Sequence, residues 1–183
     1  MRKLLLLVLL VPLSSGCALL GSPKDNDGNV IAHPLDAVWR PLEDVRERPN
    51  IVRDVGSDTA TTTVGRHCYV RDLDEWLARV VPGSAKYQAL MRHEQEHSRR
   101  QLDMGLYLWI ARYSYDRKFA LLEEQIGYYW EITERRRLGN PINIQGTALV
   151  FSKYKNLAGS LISFEEARVW ILEVLAGRWT PPA

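Results

Sequence analysis

Five consecutive residues, His93-Glu94-Gln95-Glu96-His97, have the types and spacing that can hold a metal ion. On a helix, residues four apart share a face, so His93 and His97 can aim two imidazoles at one cation. Glu94 stands one position round from the first, where it can act as general base on a metal-bound water. The chemistry implied is metal-assisted hydrolysis. A chain with four His and twelve Glu shows the pattern by chance in roughly half a percent of sequences. The competing reading is a charged surface helix, with Arg92, Glu94, Glu96, Arg99 and Arg100 paired three and four residues apart. On that reading Glu96, Arg99 and Arg100 form a solvated face.

Two imidazoles do not complete a catalytic site, which needs a third protein ligand and a position left for water. The chain has two further His, His33 and His67, both upstream. The third ligand is therefore expected to be a carboxylate from Glu123, Glu124, Glu131 or Glu134. An ideal helical hairpin turning near residue 114 sets Glu131 opposite His97. If Gly105 ends the first helix early, a shorter return brings Glu123 or Glu124 level instead.

The elements that must position these groups can be traced. Asp72 with Glu75 has the spacing of a capping box and opens a helix through Val81, broken by Pro82-Gly83. Ser84 caps the next helix, which carries Tyr87, Leu90, Met91 and the His pair and continues at least to Leu102. A bend is expected near Ser114-Tyr115-Asp116. Asp116 then caps a helix to Leu138 with Phe119, Leu122, Ile126 and Trp130 on its apolar side, ended by Gly139-Asn140-Pro141. Further helices are expected near Ala148 to Leu157 and from Ser163, another capping box, to Ala176. Upstream, the β-branched stretch Thr59 to Val70 suggests one or two short strands, and 31–53 has no clean period. The fold class is mainly α, or α+β with a small strand region.

Residues 84–130 resemble the gluzincin group of zinc metallopeptidases. In that group a helix bearing H-E-x-x-H is followed by a second helix with a Glu ligand, commonly three residues before a small residue. Glu124-Gln125-Ile126-Gly127 has that spacing, 26 residues after His97. The resemblance implies a zincin-like helical domain over 33–180 with a metal-site core at about 84–138. It implies Zn²⁺ held by His93, His97 and Glu124, with Glu123 and then Glu131 as the next choices of ligand. Gly127 departs from the more usual Ala, and no Asp follows at the common place behind the ligands.

The N-terminus reads as an export segment: Met1-Arg2-Lys3 followed by an apolar run, Leu4 to Leu13, too short to span a bilayer. Leu13-Ser14-Ser15-Gly16-Cys17 resembles the lipobox of bacterial lipoproteins, although its Leu stands one position early. The resemblance implies a signal peptide over 1–16, lipid on Cys17 and a polar tether over 17–32. Ala18 resembles the outer-membrane sorting pattern, which implies a periplasmic face. The chain holds 24 Lys and Arg against 22 Asp and Glu, and loss of Arg2 and Lys3 makes the signs equal. Without a basic tail or long positive cluster, nucleic acid is not an expected partner. Arg135-Arg136-Arg137 reads as cations at a helix end. Cys68 reads as a small core residue, His67 as a surface or structural one, and Tyr107, Tyr128 and Tyr129 as core or pocket wall.

The expected function is zinc-dependent hydrolysis of envelope proteins or peptides, with Glu94 as base and the membrane reached through the lipid anchor. The alternative is a non-catalytic envelope lipoprotein with a structural or vestigial metal site.

Overall fold

The Thr62–Val64 strand alternates, with the middle residue inward and its neighbours outward. The computed structural model describes residues 45–47 and 61–182. His33, Cys17, the expected signal peptide and the expected tether lie outside them. A three-stranded sheet is formed by β1 (Val45–Glu47), β2 (Thr62–Val64) and β3 (His67–Val70), with β3 central. β3 is antiparallel to β2, with Thr63 opposite Cys68, and parallel to β1, with Val45 opposite Cys68. The parallel partner β1 was not foreseen, since a three-residue strand in a proline-interrupted stretch leaves no period to detect.

Six helices follow among the described residues: α1 (Leu73–Arg79), α2 (Ala85–Met104), α3 (Leu106–Tyr115), α4 (Arg117–Arg137), α5 (Ile144–Phe151) and α6 (Phe164–Leu175). The fold is mainly α with a small strand region, as expected. Side-chain caps open most of them: Asp72 accepts from the Glu75 amide, Ser84 from Tyr87, Asp116 from Phe119 and Asn143 from Gly146. The complete reciprocal box forms at Ser163 and Glu166. α5 starts earlier than expected because Asn143 caps it. It stops at Phe151 because Lys155–Asn156 (β4) turns back to pair with Gly159–Ser160 (β5). None of these helices is long and apolar enough to cross a membrane.

The apolar side chains form two separate clusters. One joins the sheet to α1 and the start of α2 through Val45, Cys68, Val70, Trp76, Tyr87 and Met91. The other joins α4, α5 and α6 through Tyr128, Ile132, Phe151, Trp170 and Ile171. Fully buried Phe151 alone is worth about 3–5 kcal/mol against truncation to Ala. The extensive α2–α4 contact lies between the two clusters. It carries buried polar groups: His93 and His97 of α2 meet Glu124 and Glu131 of α4 there, and Arg100 meets Glu123.

Two expectations fail here. Glu96 is 4 % exposed rather than solvated, because Arg92 and Arg99 fold over its carboxylate at 3.0 Å, and Arg92 also caps the Trp130 ring. Tyr107 is 78 % exposed: α3 turns its Trp109 side inward, and a residue two positions earlier points away. Cys68, Tyr128 and the half-buried Tyr129 pack in or against the cores as expected. Arg135 and Arg137 pair with Glu131 and Glu134 at the end of α4.

Candidate metal centre

α2 uses two faces for two different tasks. Glu94, Ser98 and Gln101, spaced four and three apart, form a polar stripe that holds the β2–β3 hairpin. Ser98 Oγ donates to the Gly65 carbonyl at 2.6 Å, and Gln101 Nε2 donates to the Thr63 carbonyl at 2.8 Å. Gln101 Oε1 accepts from the Gly65 amide at 2.7 Å. Thr63, thus fixed, donates its hydroxyl to Glu94 Oε2 at 2.6 Å. The neighbouring face carries His93, His97 and Arg100 toward α4.

What brings a carboxylate level with the His pair is the early end of α2. Gly105 has φ +90°, a backbone that side-chain-bearing residues rarely adopt, and α3 begins at once. Asp116 then starts α4 within a residue of the end of α3. The shorter return places Glu124 opposite both imidazoles.

His93 Nε2 and His97 Nε2 stand 3.0 Å apart, and Glu124 Oε2 and Oε1 lie 3.7 Å from them respectively. The three ligand atoms fall within 4.8 Å of one another, so the buried His93, His97 and Glu124 group could hold a metal ion. Ligands at 2.0–2.1 Å from a tetrahedral ion are about 3.3–3.4 Å apart, between the distances observed. Glu124 Oε2 is buried without a hydrogen-bond partner, as are the Nδ1 atoms of both imidazoles. Such atoms are costly to leave unsatisfied, and a cation between the Nε2 atoms and the carboxylate relieves the first of them. Gly127 completes the fit, since a Cβ there would meet His93 Nε2 at 2.5 Å. The small residue three positions after Glu124 is thus a steric requirement of the His93 ring.

A second ring of groups orients the first. Glu131 Oε2 faces His93 Nδ1 at 3.4 Å, an ion-pair distance without hydrogen-bond alignment, and Arg135 holds Glu131 at 2.9 Å. Tyr113 donates its hydroxyl to Glu124 Oε1 and stacks on Trp109, whose ring meets His97 edge-on. Tyr128 packs edge-on against His93 with centroids 4.8 Å apart. Burial alone would lower the His93 pKa. The Glu124 and Glu131 carboxylates and the Glu94 charge outweigh it and raise the value to about 10 in the metal-free chain. Burial raises Glu124 and Glu131, yet His93 together with His97 and Tyr113 for the first, and with Arg135 for the second, outweighs it and both are held below the usual carboxylate range. Burial and then the Glu124 charge push Tyr113 well above its ordinary value, which keeps its hydroxyl a donor.

The other carboxylates considered from the sequence lie elsewhere. Glu123 is fully buried but turned to Arg100, which binds it through Nε and a terminal nitrogen at 2.6–2.9 Å, and to Trp109 Nε1 at 2.9 Å. Glu131 lies on the Nδ1 side of His93. Glu134 pairs with Arg137 near the surface. His67 sits half-buried on β3, edge-on to Tyr69 and outside the cluster. Thr63 and Tyr113 had gone unnoticed in the sequence. The inward phase of the Thr61-Thr62-Thr63-Val64 strand was the available signal for Thr63, and nothing set Tyr113 apart from the other tyrosines.

No family model matches the chain, and no curated protein or solved structure is significantly similar to it.

Proposed function

We propose that this chain is a zinc-dependent peptidase of the cell envelope. The observation that carries the reading is the convergence of His93, His97 and Glu124, with Glu94, on the adjoining face of the same helix as the His pair, held by a buried hydroxyl. Two imidazoles and one carboxylate form a donor set suited to Zn²⁺. When bound, zinc supplies Lewis acidity toward a water and toward the scissile carbonyl.

The chain's own groups do the rest. Thr63 holds Glu94 Oε2, leaving Oε1 to accept a proton from the attacking water and pass it to the leaving amine. Glu131, behind His93, favours the tautomer that carries its proton on Nδ1 and presents Nε2 as a lone pair. Tyr113 fixes one oxygen of Glu124 and leaves the other free to coordinate. Export and a lipidated Cys17 would give the enzyme envelope proteins or peptides as substrates and bring it to the membrane.

The test is elemental analysis of the full-length chain in detergent beside His97→Ala and Glu124→Ala, with Glu94→Gln as the inactive control. About one zinc per chain, lost in both ligand variants and kept in Glu94→Gln, is expected, with peptide hydrolysis lost in all three. No metal in the parent, even after incubation with zinc, refutes the reading.

Burial favours one alternative. His93, His97 and Glu124 are only 3 %, 5 % and 3 % exposed, as suits a closed structural site. Stoichiometric zinc with no hydrolysis of any peptide in a broad library would establish that alternative.

A further inference from the structure

Beside the proposed centre runs a cleft of about 440 Å³, within the range of ligand sites. α1 and the start of α2 form one wall and α5 the other. His93, Tyr128 and Glu131 line it, so it reaches the metal-binding imidazole from the Glu131 side. The lining is unlike the rest of a chain with nearly balanced charge. Arg79, Lys86, Arg135 and Lys153 contribute four cations, and Glu131 is the one carboxylate lining it among the described residues.

That carboxylate is already paired with Arg135. Arg79 has a partner in Glu75 at 3.5 Å, but both are well exposed and such a pair holds little. Lys86 donates to the Arg79 carbonyl and has no carboxylate partner among the described residues. Lys153, exposed at the end of α5, has no carboxylate partner among the described residues. Aromatic walls, Trp76 and Tyr154 among them, lower the local dielectric and focus the field of these cations.

We propose that this cleft is the substrate groove and selects polypeptide segments bearing Asp or Glu side chains beside the bond to be cut. The inference rests on the peptidase reading and adds the substrate class. Carboxylates of the substrate meet Lys153, Arg79 and Lys86, while its apolar stems pack on the aromatic walls. Arg135 takes no part, since Glu131 occupies it.

The test is fluorescence anisotropy with a short labelled peptide of consecutive Glu residues and its Gln counterpart. Both are titrated with the full-length, zinc-loaded Glu94→Gln variant in a non-ionic detergent. The Glu peptide is expected to bind about tenfold more tightly at low salt. The preference should fall toward parity near 1 M salt, where screening acts within about 3 Å. Adding Arg79→Glu and Lys153→Glu should abolish or reverse the preference while the melting temperature stays at the parent's. If that double replacement does not fold, the salt series on its parent decides.

Equal affinity for the two peptides, or a preference indifferent to salt, overturns the proposal. The two readings fail separately. A chain that cuts peptides without acidic preference loses only the groove, and one that binds the Glu peptide selectively but cuts nothing loses only the peptidase.

Discussion

Replacing Gly127 by Ala is the sharpest test of the geometry, because two opposite effects can be weighed. In the middle of α4 the change should help: Ala in place of a helical Gly is worth about 0.5–1 kcal/mol. The new Cβ, however, would lie 2.5 Å from His93 Nε2, 2.6 Å from Cδ2 and 2.9 Å from Cε1. To reach the 3.4 Å of ordinary contact the ring must retreat by about 0.9 Å. Overpacking of this kind costs about 1–3 kcal/mol. Coordination tolerates a displacement of only about 0.2 Å, so the ligand is affected far more than the fold. We expect Gly127→Ala to destabilise the chelated protein by up to about 2.5 kcal/mol and to weaken zinc binding about 10–100-fold. Competition against a chromophoric chelator measures the second effect and thermal melts in excess chelator the first. A double-mutant cycle isolates the contact. In a His93→Ala background the clash is gone, and Gly127→Ala should then stabilise the protein. Unchanged zinc affinity in Gly127→Ala, or equal destabilisation with and without His93, would refute the argument.

Three further outcomes are expected. Glu123→Gln should cost about 3 kcal/mol, near the lower end for breaking a buried pair because Arg100 keeps a quarter of its side chain in water; metal content should stay at the parent value. Thr63→Val removes the hydroxyl donor to a buried carboxylate, which should lower stability by about 1.5–3 kcal/mol in denaturant titrations and slow hydrolysis more than it weakens zinc binding. The chelated protein should be most stable between about pH 4.5 and 6.5. His93, raised from 6.5 to about 10, contributes stability that is complete below 6.5 and is lost toward pH 10. Glu124 and Glu131, lowered from 4.5, contribute stability that is lost as pH falls below that value. Melting temperatures measured from pH 4 to 10 should show this dome in chelator, with its alkaline side flattened by saturating zinc.

The helices were largely legible because their signals are local. Ser84, Asp116 and Ser163 each cap a helix by bonding an amide three residues on, and that relation is visible in a linear string. The His pair was legible for the same reason, being one turn apart. The third carboxylate could not be settled by local signals, because Glu123, Glu124 and Glu131 all lie in one helix with similar neighbours. Their roles diverge through partners on other helices: Arg100 and Trp109 for the first, Tyr113 for the second, His93 for the third. Gly105 decided the register by ending α2 early, an effect of backbone geometry rather than of hydrophobic period. The burial of Glu96 was misread on similar grounds. A row of Arg and Glu looks solvated in sequence, whereas here long arginine stems lie over the carboxylate and Trp130.

Two apolar clusters flank a helix pair whose contact holds buried charges, and this arrangement bears on how the molecule comes apart. α2 belongs to one cluster through Tyr87 and Met91, α4 to the other through Tyr128 and Ile132. With a cation between them the two halves should melt as a unit. Stripped of it, carboxylates and a protonated imidazole must share the interior, and the sheet-side half should open first. An opened half is what cellular proteases would attack, so the amount of this protein in a cell would follow the supply of metal.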